Sequence, residues 1–262
     1  MKRYNKIKTA VLTALFTISS AAASMAIAAD NTPVELAANT IEYNAQTDTA
    51  IASGGVTVKR DGGLLTGMEA TYDFKTQQVK ITGGVTVNKD DLSLRADELV
   101  STLNQEITAT GDVVVTKADN ILTGPKIHYN QVDNTVYMPS GGTADGPQAA
   151  MRGDVIEGNL NTKQYTATGN VYLNSKTNDI QSTSNEATYS GDGQNFNFEA
   201  TGDVSINSPS RNVSSHSDNA TYSSADNGKL VLTGNAVATQ NNNIVKGNTI
   251  TVYLGDNIKI QN

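Results

Sequence analysis

The chain has 262 residues, with 19 Lys+Arg, 26 Asp+Glu, two His, no Cys and a formal charge of −7. The absence of cysteine excludes disulfides, thiolate metal sites and a cysteine nucleophile, and two histidines are too few for a histidine-rich metal centre. The acidic balance argues against gripping nucleic acid, which needs a local basic excess.

Hydrophobic residues make up 37% and charged residues 17%. Thr (32) and Asn (28) are abundant; one favours strands and the other turns. The composition therefore predicts many short strands.

At the N-terminus, Lys2, Arg3, Lys6 and Lys8 precede the apolar run Ala10 to Ile18, and Ala26-Ile27-Ala28 fits a small-x-small cleavage pattern. Residues 1–28 are read as a cleaved secretory signal peptide and residues 29–262 as the exported chain. Removal of the four leader cations leaves 15 basic and 26 acidic residues, or −11. The chain is therefore expected to be exported. No later apolar run is long enough to span a membrane as a helix.

From Ala38 onward the chain repeats about every 30 residues. A Gly followed by a small or turn residue opens an alternating strand at Gly54-Gly55-Val56-Thr57-Val58, Gly83-Gly84-Val85-Thr86-Val87 and Gly111-Asp112-Val113-Val114-Val115. The pattern is weak at Gly141-Gly142-Thr143. It returns at Gly169-Asn170-Val171-Tyr172-Leu173, Gly202-Asp203-Val204-Ser205-Ile206 and Gly234-Asn235-Ala236-Val237-Ala238. An apolar-x-Tyr strand end precedes many copies, as at Ile41-Glu42-Tyr43, Ala70-Thr71-Tyr72 and Ile127-His128-Tyr129. Each unit reads as three or four short strands, with period-two alternation such as Val79/Ile81 and Leu92/Leu94.

A unit this short cannot bury an apolar face alone, so stacking is required. Stacking aligns Val56, Val85, Val113, Val171 and Val204 in one inward column, and Val58, Val87, Val115, Leu173 and Ile206 in a second. The predicted fold is all-β: an elongated, layered open β-jellyroll or β-solenoid of seven to eight repeats. Two arrangements stay open, a dry core where the walls meet and an apolar groove between walls held apart.

The fourth repeat is interrupted at 138–147, where two prolines and three glycines make a loop or distorted strands. Lys59 and Arg60 end one strand, and Lys89, Lys117 and Lys176 fall at or near matching places. They read either as a cationic ladder suited to phosphate groups or as ordinary solvated strand ends. Asp154 with Glu157, and Asp90 with Asp91, are paired carboxylates, but they lie at repeat-equivalent strand ends and turns without a cleft. No catalytic residue, metal site or cofactor is assigned.

The leader, the repeat, and Leu94-Arg95-Ala96-Asp97-Glu98-Leu99 followed by Ile107-Thr108-Ala109-Thr110-Gly111-Asp112-Val113-Val114-Val115 together resemble the OstA-like family of lipopolysaccharide-transport proteins. The resemblance runs from Ala38 to about Tyr253. It implies a hydrophobic interior that cradles the acyl chains of lipopolysaccharide or a similar lipid. It also implies modules joined end to end as a bridge across the periplasm toward the outer membrane. Carried onto this chain, the groove candidates are Val56, Val58, Val85, Val87, Val113, Val115, Val171, Leu173, Val204 and Ile206. The edge-strand assembly candidates are Ile41 and Tyr43 at one end, and Ile250, Val252 and Leu254 at the other. The implied partners are inner-membrane and outer-membrane transport proteins with matching jellyroll domains, and further copies of the chain joined head to tail. The lack of a β-barrel domain and of a retained anchor points to the soluble members. The alternative is an exported structural or surface solenoid with a filled core and no lipid ligand.

Overall fold

The computed structural model describes residues 35–60, 62–102, 106–130, 132–191, 195–255 and 259–261. The signal-peptide expectation lies outside them. Apart from one 3-10 turn at Pro209–Arg211, every regular element among the described residues is a strand. The chain divides into two compact units, up to Val136 and from Tyr137.

The first unit holds β1 (Glu35–Ala37), β2 (Thr40–Asn44), β3 (Thr49–Arg60), β4 (Gly63–Asp73), β5 (Gln78–Lys89), β6 (Leu92–Ser101), β7 (Glu106–Lys117) and β8 (Asn120–Asn130). The division falls within β9 (Thr135–Met138). The second unit holds β10 (Gly142–Asp145), β11 (Ala149–Gly153), β12 (Val155–Asn159), β13 (Gln164–Ser175), β14 (Ile180–Gly191), β15 (Phe196–Ser208), β16 (Val213–Ser223), β17 (Lys229–Gln240), β18 (Asn243–Tyr253) and β19 (Lys259–Gln261).

Within each unit, successive long strands pair antiparallel. A repeat is therefore two long strands, not three or four short ones. The Gly-led signatures do not separate strands; they bend them. At Gly111-Asp112 the backbone takes φ of 80° and 40°, and at Gly234-Asn235 77° and 49°. The register shifts there by one residue, the mark of a β-bulge. Two left-handed residues in succession change the strand's course without interrupting its pairing. Repeat-equivalent strands such as β3, β5 and β7 are thus never direct neighbours; an oppositely directed strand lies between each pair.

Sidedness follows from the bulge. On β3 the buried positions Ala50, Ala52, Val56 and Val58 keep one parity. On β4 they switch, from Leu65 and Gly67 to Ala70 and Tyr72, with Met68 and Glu69 both exposed. Each bent strand thus presents two inward halves, one before and one after the bulge. A unit with no helix layer can cover these apolar halves only by folding one against the other.

The hairpins at the two ends of the strands differ. After the half that follows the bulge, tight turns close the first unit's hairpins, as at Lys89↔Leu92, and the Gln240↔Asn243 pair of the second, whereas Ser175↔Ile180 and Ser208↔Val213 are joined by four residues. Asn241 and Asn242 both have positive φ, as a type I′ turn requires. At the opposite ends, Asx side chains cap wider turns. Asn44 Oδ1 accepts from the amides of Gln46 (2.9 Å) and Thr47 (3.3 Å), and Asp73 and Asn130 do the same. The Tyr before Asn44 and the Tyr before Asn130 each reach the left-handed residue that closes the loop. Tyr43 Oη donates to Asp48 Oδ1 and Tyr129 Oη to Asn134 Oδ1, both at 2.7 Å.

The interrupted stretch 138–147 keeps more order than a loop. β10 pairs with β11, and a turn closes where the Gly146 amide donates to Ala149 O (2.9 Å). β11 and β12 both pair with β13 and together replace one long strand, broken at Asp154.

Candidate functional site

The interior of each unit is a set of side-chain ladders running across the strands. In the first unit, the half after the bulge carries Val58↔Leu65↔Val87↔Leu94↔Val115↔Leu122. The half before it carries Ala52↔Ala70↔Ile81↔Leu99↔Ala109↔Ile127. In the second unit, the half before the bulge has an aromatic ladder, Tyr165↔Tyr189↔Phe198↔Tyr222, continued by Leu230 and Val252. Tyr165 and Tyr189 stack at 6.0 Å, and Phe198 and Tyr222 at 5.6 Å, distances at which offset rings attract.

Of the ten groove candidates, Val56, Val58, Val85, Val87, Val113, Val171, Leu173, Val204 and Ile206 are buried. Val115 is half-buried. Val58, Leu173 and Val204 are 0% exposed, so the two halves meet at these positions. In the second unit the far ends of the halves also touch. Tyr222 Oη, before the bulge, donates to Asn178 Oδ1 (3.3 Å) in the turn after β13, while Arg211 Nη1, from the neighbouring turn of that same half, donates to Asn178 O (2.9 Å). Burial raises the Tyr222 phenol above its ordinary value, partly offset by the Arg211 charge.

The edge candidates separate. Ile41 is half-buried and Tyr43 is 39% exposed on β2, where Tyr43 meets Phe74 edge to face at 5.7 Å. Ile250, Val252 and Leu254 are fully buried. Their side chains belong to the interior ladders, and the backbone from Thr251 to Tyr253 already pairs with β19. The stretch of β18 before it has no strand on its outer side among the described residues, and Ile244 there is 62% exposed.

Among the basic candidates, Lys89 and Lys117 share a rung through Leu92 at the tight-turn end of the first unit. By parity they stand two residues beyond Val87 and Val115, on the inward side, whereas Lys59 has the outward parity of Thr57. Lys59 and Lys117 are exposed and Lys89 is half-buried. Arg60 ends β3 opposite Gly63. Lys176 is bonded to Asp145 Oδ1.

Three of the residues that suggested acid-base or metal chemistry have partners on neighbouring strands. Asp154 accepts from Asn170 Nδ2 (2.7 Å) beside a bulge. His128 shares a hydrogen bond with Thr108 Oγ1 (2.8 Å), and burial with the nearby Lys126 charge lowers its pKa against the opposing pull of Glu106. His216 lies 3.7 Å from Asp203 on the surface. No group of three potential metal ligands occurs among the described residues, and no described helix is long and apolar enough to cross a membrane.

Sequence reasoning missed one feature of the interior. Six of the seven buried polar residues among the described residues are serines of the second unit: Ser175, Ser182, Ser184, Ser208, Ser215 and Ser217. They lie on the half after the bulge, where the first unit has Leu65 and Leu94. The signal was present as Ser182-x-Ser184 and Ser215-x-Ser217 with period two. Reading it required knowing that the strands between the Gly-led signatures contribute to the same wall.

These ladders and bulges are where known proteins can be compared. A family model described as OstA-like protein matches residues 33–183. Another, described as LptA/(LptD N-terminal domain) LPS transport protein, matches residues 150–257. Among solved structures the chain is similar to LptH from Pseudomonas aeruginosa, titled the LptA homologous periplasmic component of the conserved lipopolysaccharide transport device. The two share 16% identity over 52% of this chain and 82% of that one, with a TM-score of 0.25. No curated protein matches. Since the first family model spans more than half of the sequence, including four of the bulge signatures, the chain belongs to the OstA-like family.

Proposed function

We propose that this protein is a periplasmic component of a lipopolysaccharide-transport bridge, holding acyl chains between the two halves of its bent strands and passing them on toward the outer membrane. Family membership supports the transport role. The observation that carries the acyl-chain reading is the unbroken apolar ladder on both halves, from Val58 to Leu122 on one and Ala52 to Ile127 on the other. Such surfaces bury hydrocarbon with no directional demand. The halves meet in this structure, so a chain enters as they part. One side-chain bond between their far ends in the second unit, Tyr222–Asn178, is long and weak.

Lys89 and Lys117, at the inward rim of the first unit, are suited to anionic headgroups. Among the described residues the outer edge of β18 before Thr251 has no strand beside it, and it offers backbone for strand addition. It would join a second copy, or the matching domain of a membrane-bound partner; sedimentation of Ile244→Lys against wild type tests that joint. The chemistry is binding and transfer, not bond-making.

Photocrosslinking in cells that make lipopolysaccharide tests the proposal. A probe at Leu173 or Val85 is expected to give a lipid adduct, and one at Thr57, on the outward face, none. Folded protein without adducts at either interior position would favour the structural solenoid.

A further inference from the structure

In the middle of the second unit's wall, Leu173, Ser182, Ile206, Ser215 and Ala238 form one rung across five strands. The residues Ser182 and Ser215 are 1% and 7% exposed. Neighbouring serines are satisfied: Ser184 Oγ donates to Glu186 O (2.9 Å), Ser217 Oγ to Asn219 O (2.8 Å), and Ser208 Oγ to Asp179 Oδ2 (3.2 Å). The Ser182 and Ser215 hydroxyls are fully buried and have no hydrogen-bond partner. A buried hydroxyl with no partner is costly. Alanine would occupy the same space without that cost, and the first unit puts Leu65 and Leu94 at the corresponding places. The same unsatisfied group thus stands at the same inward position in two successive repeats, either side of Ile206. Across the interior, the half before the bulge carries the small residues Ala167, Ala187, Ala200 and Ala220 in one row.

We infer that Ser182 and Ser215 form a polar subsite within the apolar interior, donating hydrogen bonds to the carbonyl of an ester or amide that links an acyl chain to its headgroup. A carbonyl accepts hydrogen bonds without a proton of its own, so it matches two unpaired O–H donors in a dry wall. Hydrocarbon alone would leave both hydroxyls unpaired. The subsite fixes how deep a chain sits, a role the apolar ladders of the first unit cannot perform. This inference rests on the lipid-carrying reading proposed above.

The test compares the full exported chain with its Ser182→Ala/Ser215→Ala variant. Two fluorescent glycerolipids serve as probes, one with hexadecanoyl esters and one with the matched hexadecyl ethers. Wild type is expected to prefer the ester, by roughly three- to ten-fold for each hydroxyl engaged. The variant should bind the ether as wild type does, lose the preference, and melt at a higher temperature because two unsatisfied groups are gone. Equal preference in wild type and variant, or none in wild type, overturns the subsite and leaves the acyl-chain reading standing. Failure of wild type to bind either lipid, together with the absence of interior crosslinks, overturns both.

Discussion

Asp218 lies directly opposite the bulge at Gly234, so that a β-carbon added to Gly234 would stand 2.3 Å from its Oδ2. The next residue, Asn235, turns its amide back to the same carboxylate oxygen at 3.0 Å. Asp154 stands in the same relation to Gly169 and Asn170, Asp97 lies under Gly111, and Asn185 under Gly202. In these repeats the signature is a two-strand device: one strand supplies a left-handed pair, and the residue opposite supplies a short polar side chain that fits only against hydrogen, whereas at Gly83 the packed neighbour is Met68.

The two residues of the bend should respond oppositely to substitution. Gly234 has both a positive φ and an occupied neighbour, so Gly234→Ala should destabilise the second unit by about 1–3 kcal/mol. Gly84 also has a positive φ, but nothing lies within 4 Å of where its β-carbon would be. Other repeats place Asp112, Asn170 or Asn235 there with φ of 40–49°. Gly84→Asn should be neutral or stabilising by up to about 1 kcal/mol, because it restricts the unfolded chain. Denaturant unfolding of both variants checks the pair, and equal losses would refute the two-position account.

The inward ladders give a second expectation. Leu65 is 1% exposed and lies between Val58 and Val87. Leu65→Ala should cost about 2–5 kcal/mol through lost transfer energy and the cavity left behind. Thr57→Ala, on the outward face of the adjacent strand, should cost well under half of that. Thermal unfolding of the two variants is the measurement, and similar losses would mean that the face assignment is wrong.

Much of this was legible in the residues. Period-two alternation reported the inward faces of β3, β5, β7, β13 and β15, because a strand buried on one side must alternate. The strands between them were harder. Their bulge position flips the parity, as from Leu94 and Ala96 to Leu99 and Ser101, so one apolar face looks like two shorter segments. The same flip hid the Ser182 and Ser215 rung. The Gly-led pairs read as turns because left-handed residues most often close hairpins; here they bend a strand whose pairing continues on both sides. The hydrophobicity of Ile250, Val252 and Leu254 was visible, but that they face the interior follows only from the register that sets Ile250 against Leu232 and Val252 against Leu230.

Acid should probe the corner at Pro209–Arg211. Burial raises the Asp179 carboxyl, but hydrogen bonds from the Ser210 side chain and amide and from Ser208, with the Arg211 charge, outweigh it and hold the group below its ordinary value. A carboxyl depressed in the fold stabilises it above the unfolded pKa of about 3.9, and that contribution is lost as pH falls through the folded value. Asp179→Asn should therefore be less stable than wild type at neutral pH, and the gap should close on titration from about pH 5 downward. A gap that stays constant to pH 2 would assign the effect to shape instead of charge.

The rim of the first unit tests whether charge contributes to the proposed lipid recognition. Lys89 and Lys117 flank Leu92 on one rung, which places their backbones about 10 Å apart at the usual strand spacing. Neither belongs to the apolar ladder itself, so reversing both charges should leave the interior packing intact. If they meet phosphorylated headgroups, Lys89→Glu/Lys117→Glu should weaken binding of a phosphorylated glycolipid by about ten-fold or more at low salt, with less effect on its dephosphorylated form. The difference should shrink as ionic strength rises, because both charges stand at a solvent-facing rim. Reversal of Lys176, already engaged by Asp145 in the second unit, should disturb its local pairing without changing that discrimination. Equal weakening of both lipids by the Lys89 and Lys117 reversal would show that these lysines act only through the general field of the chain, and the headgroup role would fall.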